Sequence, residues 1–389
     1  MREPKFKILQ NLPGDKKIWY LAMLLAVISI LAVFSSVSSL AVKNHGGNPM
    51  VQFSKHIFML GLGFGVMIFT SKVKVKFIEV FARLAFIPCV GLLLFTLLYG
   101  VNINSASRWI SIPFIGINFQ SSDLAKVVLV IFVARFLALK KDHIKNKNEV
   151  LFPIGWRILL IVGLILPANF STAAMLFVVA VSILFFAKVP VKQLAISLVL
   201  MVAVGYGTLK LGSLNDSLPR LKTWVSRIEN FSDGGADTQK SYQSDHAKIA
   251  IASGGIIPKG PGNGVSRNFL PHPYSDMIYA FIIEEYGAII GGLLIILCYL
   301  GILYRCMIIA GNTSEPFVAY TALGLGILIC MQAFINMGVS VGLFPVTGQP
   351  LPLVSLGGTS TIITCFVFGV LISLSKHQLK EKEAQVAKA

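Results

Sequence analysis

Long apolar runs recur along this chain of 389 residues, and they constrain its fold more than any other feature. Hydrophobic residues make up 55% of the sequence, and an apolar run of about 20 residues can cross a bilayer as a helix. A membrane β-barrel would show short alternating segments instead. The pattern predicts an all-α polytopic membrane protein with about ten transmembrane helices. They are expected at 18–42, 54–71, 77–99, 122–139, 152–167, 171–187, 191–210, 276–304, 315–340 and 354–375.

The lysines and arginines of the short loops set the orientation. They are concentrated on the side of the basic N-terminus and of the C-terminal tail, so the positive-inside rule places both termini in the cytoplasm. The long connection between spans 7 and 8, residues 211–275, is then extracytoplasmic. We expect one transmembrane domain over residues 1–375 and a charged cytoplasmic tail over 376–389. The first apolar run is too long for a signal peptide and is expected to remain uncleaved.

The net charge of +17 does not indicate nucleic-acid binding. The cations flank apolar runs, as topology signals do, and no segment resembles an RNA- or DNA-binding module. The five cysteines lie in or beside apolar runs without a C-x-x-C spacing, which argues against a disulfide framework or a cysteine metal site.

A carboxylate, Asp276, stands where the eighth apolar run begins. Ionised carboxylates near hydrocarbon are costly, so they usually face a cavity, pair with a cation or take part in chemistry. Ser275 is a candidate N-cap, which would put Asp276 in the first helical turn; the alternative is that Asp276 is only a capping acid. Glu284 follows about 80° around the helix and about 12 Å along it, and could share a cavity face with Asp276. Glu285 points elsewhere.

A second polar group surrounds the start of the fourth run. Ser121 or Ser122 can cap this helix, and Asp123 and Lys126 are neighbours on one face at i, i+3. The pair either neutralises itself or forms an anion site at the outer edge of the membrane, with Asp123 holding Lys126.

The stretch before this helix, residues 100–120, is expected to be an extracytoplasmic loop. It carries Arg108, whose guanidinium can bind a phosphate through two parallel hydrogen bonds. Trp109 beside it is equally well explained as an interfacial anchor.

Two further segments are rich in glycine. Residues 347–360, with Ser355 and Gly357, combine glycines, prolines and hydroxyls at membrane depth, which favours non-helical backbone lining a cavity or a turn with close helix packing. Tyr242 and Gln243 precede the glycines of 253–264, a block that we expect to be neither helix nor strand. It is not a Walker loop, because no Gly-Lys-Ser follows.

Taken in order, these motifs resemble the SEDS family, the membrane glycosyltransferases of bacterial cell-wall synthesis that include FtsW and RodA. The resemblance covers nearly the whole chain through Ser375. It is carried by Arg108-Trp109-Ile110, Phe119-Gln120 through Asp123 and Lys126, Tyr242-Gln243, Gly254-Gly255, Ser275-Asp276 with Glu284-Glu285, and Pro352 through Ser355, Gly357 and Gly358.

The resemblance implies a substrate, a site and partners. The substrate is lipid II, an undecaprenyl-diphosphate-linked disaccharide peptide, whose glycan is polymerised outside the bacterial cytoplasmic membrane. Asp276 matches the catalytic aspartate. Substrate binding is expected at Arg108, Trp109, Gln120, Asp123, Lys126, Tyr242, Gln243, Glu284, Ser355 and Gly357. The expected partners are a class B penicillin-binding protein transpeptidase, other membrane proteins of division or elongation, and the lipid bilayer. No cofactor is required, although Mg²⁺ or Mn²⁺ could assist.

The chain also departs from the family pattern. Asp123 stands where the family usually has Glu, Asn169 replaces a usual Asp and Leu356 a common Tyr, and residues 245–247 differ from the usual Gln-Ser. Thr347-Gly348 leans toward the division type, FtsW, over the elongation type, RodA. A lipid II flippase is the rival function, and a scaffold without chemistry is a third reading.

Overall fold

The computed structural model describes residues 12–37, 49–103, 106–112, 117–144, 146–214, 219–232, 238–266, 269 and 275–387. Helices dominate these ranges. They are α1 (Lys16–Val37), α2 (Pro49–Lys72), α3 (Val75–Tyr99), α4 (Ser121–Leu139), α5 (Phe152–Ile165), α6 (Phe170–Phe186), α7 (Val191–Leu214), α8 (Pro219–Ser232), α9 (Thr238–Gly254), α10 (Ile278–Tyr286), α11 (Leu294–Gly311), α12 (Pro316–Ser340) and α13 (Thr359–Val386). Three short strands, β1 (Val101–Ile103), β2 (Ala106–Ile112) and β3 (Ile117–Gln120), lie between α3 and α4.

A helix lies at each of the ten expected positions, which confirms the polytopic helical fold. Seven helical segments in the described part of the chain are long and apolar enough to cross a membrane. The set leaves out α4, which carries Asp123, Lys126 and Arg135, and the shorter α5 and α6. The number of crossings and the cytoplasmic position of both termini therefore stay predictions.

The interior of the bundle is built around α4, α12 and α13. Most residues of α4, of α12 and of the apolar part of α13 are buried, whereas α7 exposes most of its surface. α13 packs along α2, and α12 packs against both α4 and α11. A membrane-spanning helix that is buried on several sides has few lipid contacts, so its polar side chains must find partners inside the protein.

The region before α4 is a small antiparallel sheet rather than a plain loop. β2 pairs with β1 and with β3, and Trp109 lies opposite Gln120 across the β2–β3 ladder. The all-α expectation did not include this sheet. Pairing satisfies backbone groups that an irregular loop would have to expose to water.

The expectation that the block containing Tyr242 and Gln243 is not helical is wrong for its first part. Both residues lie on α9, which continues to Gly254. A Cβ at Gly254 would clash with the carbonyl of Ile283 on α10, so this glycine permits close helix crossing. The glycines after 254 form the irregular segment that we expected.

The two predicted serine N-caps are also wrong. α10 begins at Ile278, so Asp276 lies in the turn before the helix, and Ser275 Oγ donates to Asp276 Oδ1 at 2.9 Å. α4 follows Gln120, whose Nε2 donates to Ser122 Oγ at 2.9 Å. In both cases the serine hydroxyl forms a hydrogen bond with a neighbouring polar side chain instead of with a helix N–H.

The expected span 276–304 is interrupted. α10 ends at Tyr286. The next residue, Gly287, has a φ of +78° and begins a wider helical turn, Gly287–Leu293, that leads into α11. At the end of the chain, α13 continues through the expected tail as far as Val386.

Candidate active site

The α12–α13 connection, residues 341–358, forms the base of the candidate site. It has no regular structure beyond isolated turns, yet much of it is buried, which confirms the expectation of non-helical backbone there. Side chains of three helices donate to four of its carbonyls. The pairs are Ser29 Oγ to Val354 O at 2.8 Å, Tyr299 Oη to Pro352 O at 2.6 Å, Gln332 Nε2 to Pro350 O at 3.0 Å and Asn336 Nδ2 to Gln349 O at 2.7 Å. Buried irregular backbone is tolerated when it is satisfied in this way.

Asp276 is half-buried and sits against this connection. Asn336 Nδ2 donates to the carbonyl of Asp276 at 2.9 Å, in addition to its bond with Gln349. Gly348 faces the carboxylate, because a Cβ built there would lie 3.5 Å from Asp276 Oδ2. The backbone of Asp276 is thus held, while its carboxylate keeps some access to solvent.

Ser355 and Gly357, two of the predicted substrate-binding residues, contact other parts of the protein in this structure. Ser355 Oγ donates to the carbonyl of Ser275 at 2.7 Å and accepts from Leu351 N at 2.8 Å. This hydroxyl therefore ties the connection to the residue before Asp276. A Cβ at Gly357 would clash with Ser360 Oγ, so the glycine permits the tight entry into α13.

Asp123 and Lys126 form a buried ion pair on α4. Lys126 Nζ lies 2.8 Å from Asp123 Oδ1 and donates to Gln332 Oε1 on α12 at 3.0 Å. Asp123 Oδ2 has no hydrogen-bond partner among the described residues. Both charges line a cavity of about 30 Å³ together with Pro352, Ser360 and Thr364, which is room for a water molecule or two.

A chain of hydrogen bonds links Lys126 to the Asp276 turn. Gln332 accepts a hydrogen bond from Lys126 and donates one to Pro350 O. Asn336 donates to the carbonyls of Gln349, the residue before Pro350, and of Asp276. The structure thus brings Asp123, Lys126 and Asp276 to one buried polar layer around the α12–α13 connection. The layer offers a carboxylate that can accept a proton, that of Asp276, and a buried ammonium, that of Lys126, which binds Asp123 and Gln332.

Trp109 and Gln120 are half-buried partners across the β2–β3 ladder at the entrance to α4. The sheet is tied to the same layer, because Thr359 Oγ1 at the start of α13 donates to Asn118 O at 3.0 Å. Arg108 lies on β2 beside Trp109, and its side chain lies outside the described part of the structure.

Glu284 does not reach toward Asp276. Its buried carboxylate accepts from Val265 N at 3.0 Å and from Ser266, and Lys259 Nζ lies 3.5 Å away. Glu284 therefore fastens the segment 255–266 onto α10. Glu285 accepts from Ser35 Oγ on α1 at 2.6 Å and from Gly262 N at 2.9 Å.

Tyr242 and Gln243 lie on α9, the second helix of the long connection. The exposed Tyr242 ring is 4.1 Å from the ring of His246, which stacks on Phe269 at 5.6 Å. The described contacts do not bring either residue to Asp276.

Sequence reasoning missed the two amides that organise the site. Gln332 and Asn336 are buried on α12 at i, i+4 and so face the same side. Polar side chains at helical spacing in an apolar run were the available signal. Gln349, which donates to Thr172 Oγ1 on α6, was missed as well, and Asn169 caps α6 by accepting from Thr172 N at 3.3 Å.

One group among the described residues has a geometry suited to a metal ion, and it lies elsewhere. It consists of Glu315, His377 and Glu381, whose ligand atoms lie within 4.8 Å of one another. Glu315 precedes α12 and Asn336 lies near its other end, about 30 Å away along the helix. This group cannot serve the chemistry of Asp276 directly.

Comparison with known proteins identifies the family. The model of the cell cycle protein family of FtsW, RodA and SpoVE matches residues 15–380. A probable peptidoglycan glycosyltransferase FtsW of Nitrosococcus halophilus is 31% identical over 84% of this chain and 83% of its own. Another of Alcanivorax borkumensis is 31% identical over 92% of both chains, and one of Haemophilus influenzae is 29% identical over 94% of this chain and 91% of its own.

Solved structures share the fold. A chain of a peptidoglycan synthase complex, described for its coordination of polymerization and crosslinking, matches with a TM-score of 0.73 and 20% identity over 94% of this chain and 98% of its own. The rod shape determining protein RodA of Thermus thermophilus matches with a TM-score of 0.67 and 20% identity over 95% and 99%. The sequence resemblance is thereby confirmed, and the chain belongs to the FtsW/RodA/SpoVE family of cell cycle proteins.

Proposed function

We propose that this chain is a peptidoglycan glycosyltransferase that polymerises lipid II into glycan strands at the outer face of the bacterial cytoplasmic membrane. The observation that carries the proposal is the Asp276 turn, which Asn336 and Ser355 fix against a buried polar layer containing Lys126. Relatives named as probable peptidoglycan glycosyltransferases support the activity.

The reaction joins two sugars. A sugar 4-hydroxyl oxygen bonds to the anomeric carbon of a second lipid II, while the bond from that carbon to the diphosphate breaks and the lipid diphosphate leaves with the electron pair. A hydroxyl is a weak nucleophile until a base removes its proton, and Asp276 is the proposed base. The diphosphate leaves without a proton, so one carboxylate suffices, unlike the pair in glycosidases.

Cations stabilise the charge that develops on the diphosphate. Preorganised charges of this kind usually lower the activation barrier more than any other single effect. We assign this role to Lys126, already held in place by Asp123 and Gln332, and to Arg108. Trp109 and Gln120 would bind the substrate near the sheet, and Tyr242 and Gln243 would act from the long connection.

The proposal requires no cofactor. Mg²⁺ or Mn²⁺ could assist by supplying positive charge to the diphosphate, since these ions are often held by one or two carboxylates together with substrate phosphates.

We assign the activity to cell division rather than elongation, because the relatives described above carry the name FtsW. The proposed partner is a class B penicillin-binding protein transpeptidase. The match to a chain of a complex that coordinates polymerization and crosslinking supports such a pairing. Other membrane proteins of the division machinery would join this pair.

A lipid II flippase is the alternative. It would share the polytopic body and the buried charges, but a flippase needs two membrane sides and an enzyme does not. Polymerisation by the detergent-solubilised chain therefore separates the two functions.

The test is glycan polymerisation from purified lipid II by the detergent-solubilised chain with its transpeptidase, comparing wild type, Asp276→Ala and Asp276→Asn. We expect polymer from wild type only. Asp276→Asn keeps the size and removes the base, so equal activity in this variant would refute the assigned role. Polymer from none of the three, with lipid II transfer across liposomes intact, would favour the flippase.

A further inference from the structure

The amphipathic helix α8 of the long connection is docked onto the bundle at the candidate site. Its Trp224 is 3% exposed, and the ring lies 5.6 Å from the ring of Phe170 at the start of α6. The α6 start also holds Thr172, which contacts Gln349 of the α12–α13 connection. α8 therefore has a fixed position close to the Asp276 turn.

Arg227 follows Trp224 by one turn and points to the same connection. Its guanidinium carbon lies 5.2 Å from the centre of the Trp224 ring, and Nη1 donates to Val346 O at 2.8 Å. A guanidinium has five N–H donors in a rigid plane. A hydrogen bond and a ring contact thus fix the position of this cation.

Val346 stands two residues before Gly348, the residue that faces the Asp276 carboxylate. The anchored Arg227 therefore binds the same stretch of the connection that faces the Asp276 carboxylate. Burial lowers the pKa of Arg227, and the negative charge of Asp276 raises it. The two charges attract each other, and by reciprocity the guanidinium favours the ionised form of Asp276.

Among the described residues, the other charged side chains on the elements around this turn have partners of their own. These are Lys126 with Asp123 on α4, Lys248 with Asp245 on α9, and Glu284 with Lys259 and Glu285 with Ser35 on α10. Of the neutral titratable groups, Tyr242 contacts His246, which stacks on Phe269, Tyr279 donates to Gly292 O, and Tyr286 Oη has no hydrogen-bond partner within the described ranges. The side chains of Arg220, Lys222 and Glu229 on α8 and of Lys240 on α9 lie outside the described part of the structure.

We propose that Arg227 is a positioning residue for the proposed base, a fixed cation that keeps the Asp276 carboxylate ionised and oriented in the active site. The inference rests on the proposed function. A general base works only while it is unprotonated, so a neighbouring charge that stays positive at all working pH values extends activity to lower pH. Arginine suits this role because it is not deprotonated in proteins.

The test is the pH profile of kcat/KM for lipid II polymerisation, measured for wild type, Arg227→Gln and Arg227→Lys with the transpeptidase present. In Arg227→Gln we expect the acid limb to move up by about 1 pH unit, the lower end of the effect of an opposite charge at close range. The lysine variant keeps the charge and should restore most of the wild-type acid limb. Thermal unfolding in detergent checks that each variant is folded.

Arg305→Gln is the matched control. It removes another part-buried arginine that pairs with a carboxylate, Asp15, at the opposite end of the bundle. It should lower the unfolding temperature and leave the acid limb in place. An unchanged acid limb in folded Arg227→Gln, or a rise in KM alone, would overturn the inference and leave the glycosyltransferase standing. Absence of polymer from wild type would instead refute the proposed function.

Discussion

The side-chain amide of Asn336 holds the backbone of Asp276, with Nδ2 donating to the Asp276 carbonyl at 2.9 Å and to the Gln349 carbonyl at 2.7 Å. One nitrogen thus fixes two segments that are far apart in sequence. Asn336 is 1% exposed, so water cannot replace it. The position of the proposed base depends on a residue of α12 that does not itself take part in the reaction.

Replacing Asn336 with Ala should lower kcat strongly. Both carbonyls would lose their donor, and misplacement of a catalytic group by about 1 Å can cost about 100-fold. Leaving buried acceptors without a donor should also lower the free energy of unfolding by about 1–3 kcal/mol. Lipid II polymerisation and thermal unfolding in detergent measure the two effects.

Ser340→Ala supplies the control, because Ser340 Oγ donates to the carbonyl of Asn336 from one turn further along α12. This variant should keep near-normal polymerisation, since the helix backbone holds that carbonyl in any case. A wild-type kcat in Asn336→Ala would contradict the positioning role.

The Asp123–Lys126 pair can be tested by a double-mutant cycle. Lys126→Met alone leaves a buried carboxylate without its cation, which should cost about 3–5 kcal/mol. Adding Asp123→Asn removes that uncompensated charge, so the double variant should recover most of the lost stability. It should not recover polymerisation, because the cation that stabilises the diphosphate is gone.

Thermal unfolding of the two single variants and the double variant gives the coupling between the side chains. Polymerisation restored together with stability in the double variant would show that the pair serves only the fold.

The apolar runs were enough to predict where the membrane helices lie, because the cost of exposing polar backbone to lipid leaves few alternatives. The unusual carboxylate at a span boundary directed attention to Asp276, whose catalytic role stays a prediction. The β2–β3 pairing and the helix α9 were not predicted, since short strands and polar helices depend on what they pack against. Helical spacing alone suggested that Glu284 could share a cavity face with Asp276, but the segment 255–266 folds onto its carboxylate.

The roles of Gln332, Asn336 and Arg227 could not be predicted from the sequence. A single polar side chain on a helix can face lipid or solvent, a neighbouring helix or a cavity, and its position in the sequence does not decide which. Their roles follow only from the path of the α12–α13 connection, whose carbonyls they bind.

Glu284→Gln should loosen the segment 255–266. The carboxylate accepts from two backbone amides and from Ser266 Oγ and pairs with Lys259, and hydrogen bonds to a charged group are worth about 1.5–3 kcal/mol each. We expect faster trypsin cleavage after Lys259 and faster hydrogen exchange at Val265 and Ser266.

Glu149→Gln is a suitable comparison, because Glu149 forms a half-exposed pair with Lys140 at 3.5 Å. Such pairs contribute little, so cleavage after Lys259 should not change. Equal protection of the segment in Glu284→Gln and wild type would contradict the anchoring role.

The crossing of α9 and α10 should tolerate no side chain at Gly254. A Cβ there would clash with the Ile283 carbonyl, so Gly254→Ala should push α9 away from α10 and lower the unfolding temperature. Because α10 carries Glu284 and begins two residues after Asp276, polymerisation should fall as well.

Gly207 on α7 supplies the control for this prediction. A Cβ there would meet nothing within 4 Å, so Gly207→Ala should instead stabilise the helix by about 1 kcal/mol. Opposite shifts in unfolding temperature for the two substitutions would confirm that close packing, rather than helix propensity, selects the glycine at 254; equal shifts would refute it.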